Sequence, residues 1–176
     1  EKKILKKITD RGLSEKEKSE ITERVSLAAI KYSILKQSIG KDIIFDFEKS
    51  ISFEGDSGPY IQYAYVRTQA ILRKAKENKI TELENIGKIK DVKVSDVERM
   101  IQKFPEIVEM ASEKHVLNYI CSYLVELCRA FNSYYEENRI VSDDDTGRYR
   151  IALTRAVGIV LQNGLNLLGI STPEKM

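Results

Sequence analysis

Apolar residues recur three or four positions apart through most of this chain, and strict two-residue alternation is nearly absent. That period lines apolar groups up as stripes on helices and offers a sheet no continuous apolar face. It therefore predicts an all-α bundle. Breaks are few, because the 176 residues include only 9 Gly and 3 Pro. The elements between those breaks should be long. A hydrophobic share of 42% is enough to fill a core and too much for a disordered chain.

Helix signals can be placed one by one. Ser14 followed by Glu17 has the capping-box spacing, and Ile21, Val25, Ala28, Ala29, Tyr32 and Leu35 continue it as a stripe that Gly40 closes. Ile43 to Phe45 reads as an extended lead-in, and a short helix from Asp46 should close at Gly55. Ser57 can cap the next helix, with Pro59 in its first turn, where the missing N–H is not needed. That helix should run to about Glu77. Residues 78–94 read as a polar, charged connector. Ser95 and Glu98 form a second capping box, opening a helix to about Phe104, with Pro105 starting another. A long helix should span Val116 to Asn138, and a last one should stop at Gly164. The tail from Leu165 to Met176 is apolar enough to dock on the bundle. The division predicted is a helical connector over 1–52 and the bundle over 53–176.

The helix beginning at Pro59 carries the chemistry. At about 100° per residue, Ile61, Ala64, Tyr65, Thr68, Ile71, Leu72 and Ala75 form a core stripe. Gln62, Gln69, Arg73 and Lys76 form a solvated side. A third arc holds Tyr60, Tyr63, Arg67, Ala70 and Lys74: two rings and two cations around one small residue. Bases stack on exposed tyrosine faces whatever their identity, and a guanidinium fork can hold a phosphate or a base edge. Unpaired RNA loops are read by this combination. The plainer alternative is open at this point: both rings pack under the connector and Arg67 pairs with an acid.

Other features exclude more than they suggest. With 29 basic and 27 acidic residues the net charge is only +2, less than a tight non-specific DNA binder usually carries, so no DNA partner is expected. Cys121 and Cys128 lie seven residues apart on a predicted helix, roughly 10 Å along its axis and too far for a disulfide. They are expected to be reduced core residues. No apolar run is long enough to span a bilayer, so no membrane partner is expected and the cytoplasm is the expected location. The chain opens in mid-pattern without an initiator Met, which suggests a fragment. Asp143, Asp144 and Asp145 are adjacent acids without EF-hand spacing and read as a solvated turn rather than a metal site. His115 reads as a helix-start residue. Lys2, Lys3, Lys6, Lys7 and Arg11, and likewise Lys88, Lys90 and Lys93, read as solvated cations that could also touch phosphate.

Three stretches carry a family resemblance. Phe53-Glu-Gly-Asp-Ser-Gly-Pro-Tyr-Ile-Gln-Tyr-Ala-Tyr-Val-Arg67 resembles the segment that opens the anticodon-binding domain of arginyl-tRNA synthetases, with the pattern G-x-[ST]-G-P-Y-[LI]-Q-Y-x-x-x-R. The run from Ala156 to Met176 is similar to that family's V-L-x-N-G-L-x-L-L-G-I-x-x-P-x-x-M ending. The helix from Tyr123 to Tyr135 resembles its Y-L-x-x-L-x-x-x-F-N-x-F-Y stretch. Ala29 to Tyr32 and Phe45 to Phe47 fit the stretch that joins this domain to the catalytic core.

The resemblance implies an all-α anticodon-binding helical bundle of the class I synthetase type, preceded by a helical connector. It implies that Tyr60, Tyr63 and Arg67 contact the anticodon loop of an arginine tRNA, that Tyr134 stacks on a base, and that Met176 lies near the middle cytosine. Which of Tyr134 and Tyr135 faces RNA stays open. Lys74 is a candidate phosphate contact. The parent protein would be an ATP- and Mg2+-dependent arginine–tRNA ligase, and its catalytic core would be a partner of this piece. No catalytic residue and no cofactor is expected here: one histidine cannot spell H-x-G-H, and no K-M-S-K-S loop is present. Two rival readings are a stand-alone tRNA-binding adaptor with the same domain and a protein–protein interaction bundle.

Overall fold

A computed structural model describes residues 14–43, 45–80 and 93–176. Lys2, Lys3, Lys6, Lys7, Arg11, Lys88 and Lys90 lie outside the described residues, as does most of the expected connector. Six helices account for nearly all regular structure among the described residues, and no strand occurs among them. They are α1 (Glu15–Leu35), α2 (Phe47–Ser50), α3 (Gly58–Glu77), α4 (Asp96–Lys114), α5 (Asn118–Glu137) and α6 (Asp145–Leu167).

The caps form where the sequence put them. The backbone N–H of Ser14 donates to Glu17 Oε2 at 2.8 Å, and the Glu17 N–H donates back to Ser14 Oγ. That exchange satisfies two donors the helix start would leave orphaned and holds the Glu17 carboxyl below its usual range. Asp46 accepts from the Lys49 N–H at the start of α2, and Ser57 Oγ from the Tyr60 N–H at the start of α3. At α4, Glu98 accepts from the Ser95 N–H at 2.6 Å.

The interior has two parts. The larger joins α3, α5 and α6 through Ile61, Leu124, Leu127, Phe131, Val157 and Leu161, with Tyr32 of α1 and Val97 of α4 at its borders. Burying each large aliphatic or aromatic side chain contributes about 1.5–3 kcal/mol. The smaller part gathers Ile21, Val25 and Ala29 of α1, Ile51, Val66 and Met176. The C-terminal tail thus docks as expected. Lys31 of α1 donates to the Gly169 carbonyl, and Gln62 Nε2 donates to the Ser171 carbonyl at 2.7 Å.

Four local expectations fail. The α4 helix runs unbroken through Pro105. Proline costs a backbone hydrogen bond there, but Met100, Ile101, Phe104 and Ile107 pack on the main core from both sides of it. The α6 helix passes Gly164 and ends at Leu167, with the left-handed turn at Gly169 (φ 65°). Gly164 serves proximity instead: a Cβ there would stand 2.5 Å from Leu124 Cδ2. His115 does not begin a helix but ends α4 in the left-handed region at φ 54°. Gln62, assigned to solvent, is fully buried under the tail.

Candidate nucleic-acid interface

The α3 helix rests on α1 and α6, which leaves the arc around Tyr63 and Arg67 to meet α5 and the surface. Tyr63 is half-buried. Its ring centroid lies 6.2 Å from that of Phe53, and it borders the small core around Met176. The Arg67 guanidinium carbon is 5.2 Å from the Tyr63 ring centroid and 5.6 Å from that of Tyr135. Arg67 is therefore clasped between one ring from α3 and one from α5. Each contact stabilises by roughly 0.5–2 kcal/mol, more as water is excluded.

The polar side of that clasp is sparse. Arg67 Nη1 donates to Asn132 Oδ1 at 2.7 Å. Asn132 Nδ2 in turn donates to the Tyr60 hydroxyl oxygen at 2.9 Å. No described carboxylate forms an ion pair with Arg67. A guanidinium carries five N–H donors in a planar fork, so most of them have no acceptor among the described residues. An always-charged group with a free edge and two flat rings at its faces can take a phosphate oxygen or a base edge.

Tyr60 sits elsewhere than its arc suggests. Only 9% of it is exposed, beneath Asn132 and against the main core. Burial pushes its phenol up, nearby Cys128 adds to this, and the hydrogen bond from Asn132 opposes it. Tyr60 thus touches the site through Asn132 rather than through its own face. Met176, only 7% exposed, is packed beside Tyr63 rather than displayed. Lys74 is exposed and lines a 560 Å3 hollow with Tyr135, Asn78 and Arg139.

The two neighbouring tyrosines of α5 diverge. Tyr135 is 41% exposed and joins Arg67. Tyr134 turns to the other flank of Phe131 and lines a 780 Å3 groove with Lys93, Arg129 and Ser133. Burial raises its phenol, and Arg150 beside it opposes that shift. Near it, the Tyr149 hydroxyl donates to Glu98, and burial followed by that carboxylate pushes the Tyr149 phenol up.

The family model for the DALR anticodon binding domain matches residues 61–176, well over half of the chain. The chain belongs to this family. The arginine–tRNA ligase of Halothermothrix orenii is 39% identical over 170 residues, covering 96% of this chain and 30% of that protein. The arginine–tRNA ligase of Thermococcus kodakarensis is 38% identical over 173 residues, covering 94% and 27%. Thermus thermophilus arginyl-tRNA synthetase superposes with a TM-score of 0.74 at 31% identity over 90% of this chain and 28% of the other. This anticodon binding domain therefore spans under a third of the curated relatives it matches.

Two members of the clasp in this anticodon binding domain were not singled out from sequence, Phe53 and Asn132, and a third, Tyr135, stood there only as the alternative to Tyr134. Each stands inside a motif that was quoted. Tyr135 stands four residues after Phe131, which sets the two rings one above the other on a helix. The acidic run resolves into ordinary parts. Asp143 pairs with Arg148 at 2.9 Å, Asp144 caps α6 by accepting from the Gly147 N–H at 2.6 Å, and Asp145 opens its first turn. Among the described residues no group of three or more His, Cys, Asp or Glu side chains could hold a metal ion. None of their helices is long and apolar enough to cross a membrane. Both cysteines are buried and free, and burial pushes the Cys121 thiol up to about 12.

Proposed function

We propose that this chain is the tRNA-reading part of an arginine–tRNA ligase and that it grips the anticodon loop of an arginine tRNA at the Tyr63–Arg67–Tyr135 clasp. The observation that carries this reading is a guanidinium held between two rings with no described acid to neutralise it. Loop bases stack on the outward faces of Tyr63 and Tyr135, at about 1–3 kcal/mol per base. The open N–H groups of Arg67 take a phosphate or a base edge. Asn132, held by Tyr60, keeps the fork in plane. The middle cytosine is read beside Tyr63, where Met176 and Phe53 form the apolar wall. Lys74 supplies a phosphate contact from the next turn. Of the two α5 tyrosines we assign the stacking role to Tyr135, and to Tyr134 a place on the far wall of α5.

Arginine activation, with ATP and Mg2+, belongs to the rest of the parent protein, in the cytoplasm. We propose that its catalytic core covers α1. Leu27, Ile30 and Ile34 stand 45–49% exposed along one face of that helix, followed by Ile39, Phe45 and Phe47. Continuous exposed apolar surface of this kind marks an interface. Aspartates at Leu27 and Ile30 should abolish aminoacylation by the parent enzyme while leaving the RNA affinity of this domain intact.

The test is titration with an anticodon stem–loop. Tyr63→Ala and Arg67→Ala should each weaken binding about tenfold or more with little change in melting temperature. Replacing the middle cytosine by uracil should weaken the wild-type domain. Unchanged affinity across all three sinks the reading and leaves a protein-binding bundle.

A further inference from the structure

Gln62 is a polar side chain of α3 that neither the core nor the clasp explains. It is fully buried, and its Nε2 donates to the Ser171 carbonyl at 2.7 Å. That carbonyl can only accept, which fixes the end of the amide that faces the tail. The other end, Oε1, is buried with no hydrogen-bond partner among the described residues. A buried acceptor left unmatched costs free energy, and an apolar side chain of similar size would fill the space without that cost. Packing therefore gives no reason for an amide here, and the reason lies in the contact it does make.

Gly58, Gln62 and Val66 follow at four-residue steps along one side of α3. Gly58 is pressed on α1, where a Cβ would stand 2.4 Å from the Ala28 carbonyl oxygen. Val66 joins the small core with Ile21, Val25 and Met176. At the step between them the tail reaches α3. The Ile170 N–H donates to the Leu165 carbonyl at 2.9 Å, and beyond it no backbone–backbone hydrogen bond holds the tail among the described residues. Pro173 and Met176 are nevertheless buried. Side chains of other elements hold that path: Lys31 of α1 at the Gly169 carbonyl and Gln62 of α3 at the Ser171 carbonyl. Ile170 lies in the main core and Met176 in the small one, so Ser171 stands just past the crossing between them. Met176 there adjoins Phe53 and Tyr63 of the clasp. From Ser171 the chain can reach up to about 18 Å to Met176 when extended. Freed at Ser171, it can carry Met176 clear of the small core.

We propose that Gln62 is a positioning residue for reading the loop: by latching the Ser171 carbonyl it keeps Met176 beside Tyr63, and so sets the preference for cytosine at the middle base. This rests on the proposed loop site, so the test separates the two. The methionines are Met100, Met110 and Met176. Methyl-labelled methionine therefore gives three signals in a magnetic resonance spectrum, and that of Met176 reports the docked tail. In Gln62→Leu this signal should sharpen and move towards the position of a free side chain, with melting level or higher. Wild type and variant are then titrated with two stem–loops that differ only in cytosine or uracil at the middle base.

The preference for cytosine should fall at least about fivefold, the lower end of what one good base contact discriminates. Affinity for the uracil loop should stay within about twofold, because stacking that any base can use is untouched. A general loosening of the fold would weaken both loops alike. Lys31→Gln, at an exposed side chain, frees the tail at its other anchor and should shift both readouts the same way by less, which keeps the test standing if Gln62→Leu melts early. A Met176 signal that stays put overturns the latch, and so does an unchanged cytosine preference once that signal has moved. Failure of the loop site looks different: the wild-type domain itself then binds both loops equally, and the latch's part in reading falls with it.

Discussion

Phe131 divides α5 into two flanks that use the same residue types to opposite ends. On one side Tyr63, Tyr135 and Arg67 meet without a described acid, and among the described residues the polar partner of the guanidinium is an amide. On the other, Tyr134, Tyr149 and Arg150 gather near Glu98, which accepts from both Tyr149 and the Ser95 N–H. Rings and cations are present in both. A carboxylate closes one set onto itself, and its absence leaves the other with donors to spare. A Tyr–Arg cluster keeps donors for a ligand only where the charge stays unanswered.

The comparison can be pressed at four points. Phe131→Ala removes the divider, fully buried and touched from both sides, and should cost about 3–5 kcal/mol in stability. Denaturant titration reads this, and a loss confined to one flank's function would show that the flanks do not share that support. Glu98→Ala should come next. It strands the Tyr149 hydroxyl and removes a helix cap, together on the order of 1–3 kcal/mol, while stem–loop affinity of the still-folded protein stays put. Arg67→Ala should show the reverse, with affinity down and melting nearly level. If Glu98→Ala harms RNA binding more than Arg67→Ala does, the two flanks have been assigned backwards.

The third point is the tyrosine pair. Tyr135→Ala should lose about 5- to 160-fold in loop affinity, since one stacking platform is worth about 1–3 kcal/mol. Tyr134→Ala should lose far less, and equal losses would extend the RNA path over both walls of α5. The smallest effect concerns pH. Hydrogen bonds from backbone N–H groups hold the cap carboxyls of Glu17, Asp46 and Asp144 below their usual range. A depressed carboxyl stabilises the fold above its unfolded value and loses that contribution as pH falls through the folded one. Melting temperature should therefore slip slightly in acid, below the normal carboxylate range. Loop affinity should be level between pH 6 and 8, because no described carboxylate pairs with the Arg67 guanidinium.

Much of this could be read along the chain. The caps at Ser14, Asp46, Ser57 and Ser95 depend on neighbours within three residues, and local rules suffice for them. The core stripe of α3 follows from its period, as does the side on which Tyr63, Arg67 and Lys74 stand. Tyr60 shares that arc and still ends buried, because Asn132 and the side of α5 cover it. Whether Tyr134 or Tyr135 meets Arg67 depends on which side of α5 faces α3, a tertiary fact no spacing encodes. Gln62 has the hydropathy of a surface residue and the role of a buried latch on the tail. Gly164 carries the signature of a helix stop, but a close neighbour needed its missing side chain more.

One small residue has a large reach. At Gly158 in α6 a Cβ would stand 2.8 Å from the Thr68 hydroxyl oxygen and 3.1 Å from Gln69 Nε2, immediately after Arg67 on α3. The same meeting of helices brings Arg155 opposite Arg73. A single methyl inserted at that joint would act as a wedge between α3 and α6 and would tilt the clasp. Position 158 is therefore a hinge pin for α3, and any side chain larger than glycine there would reset the angle at which that helix presents Arg67.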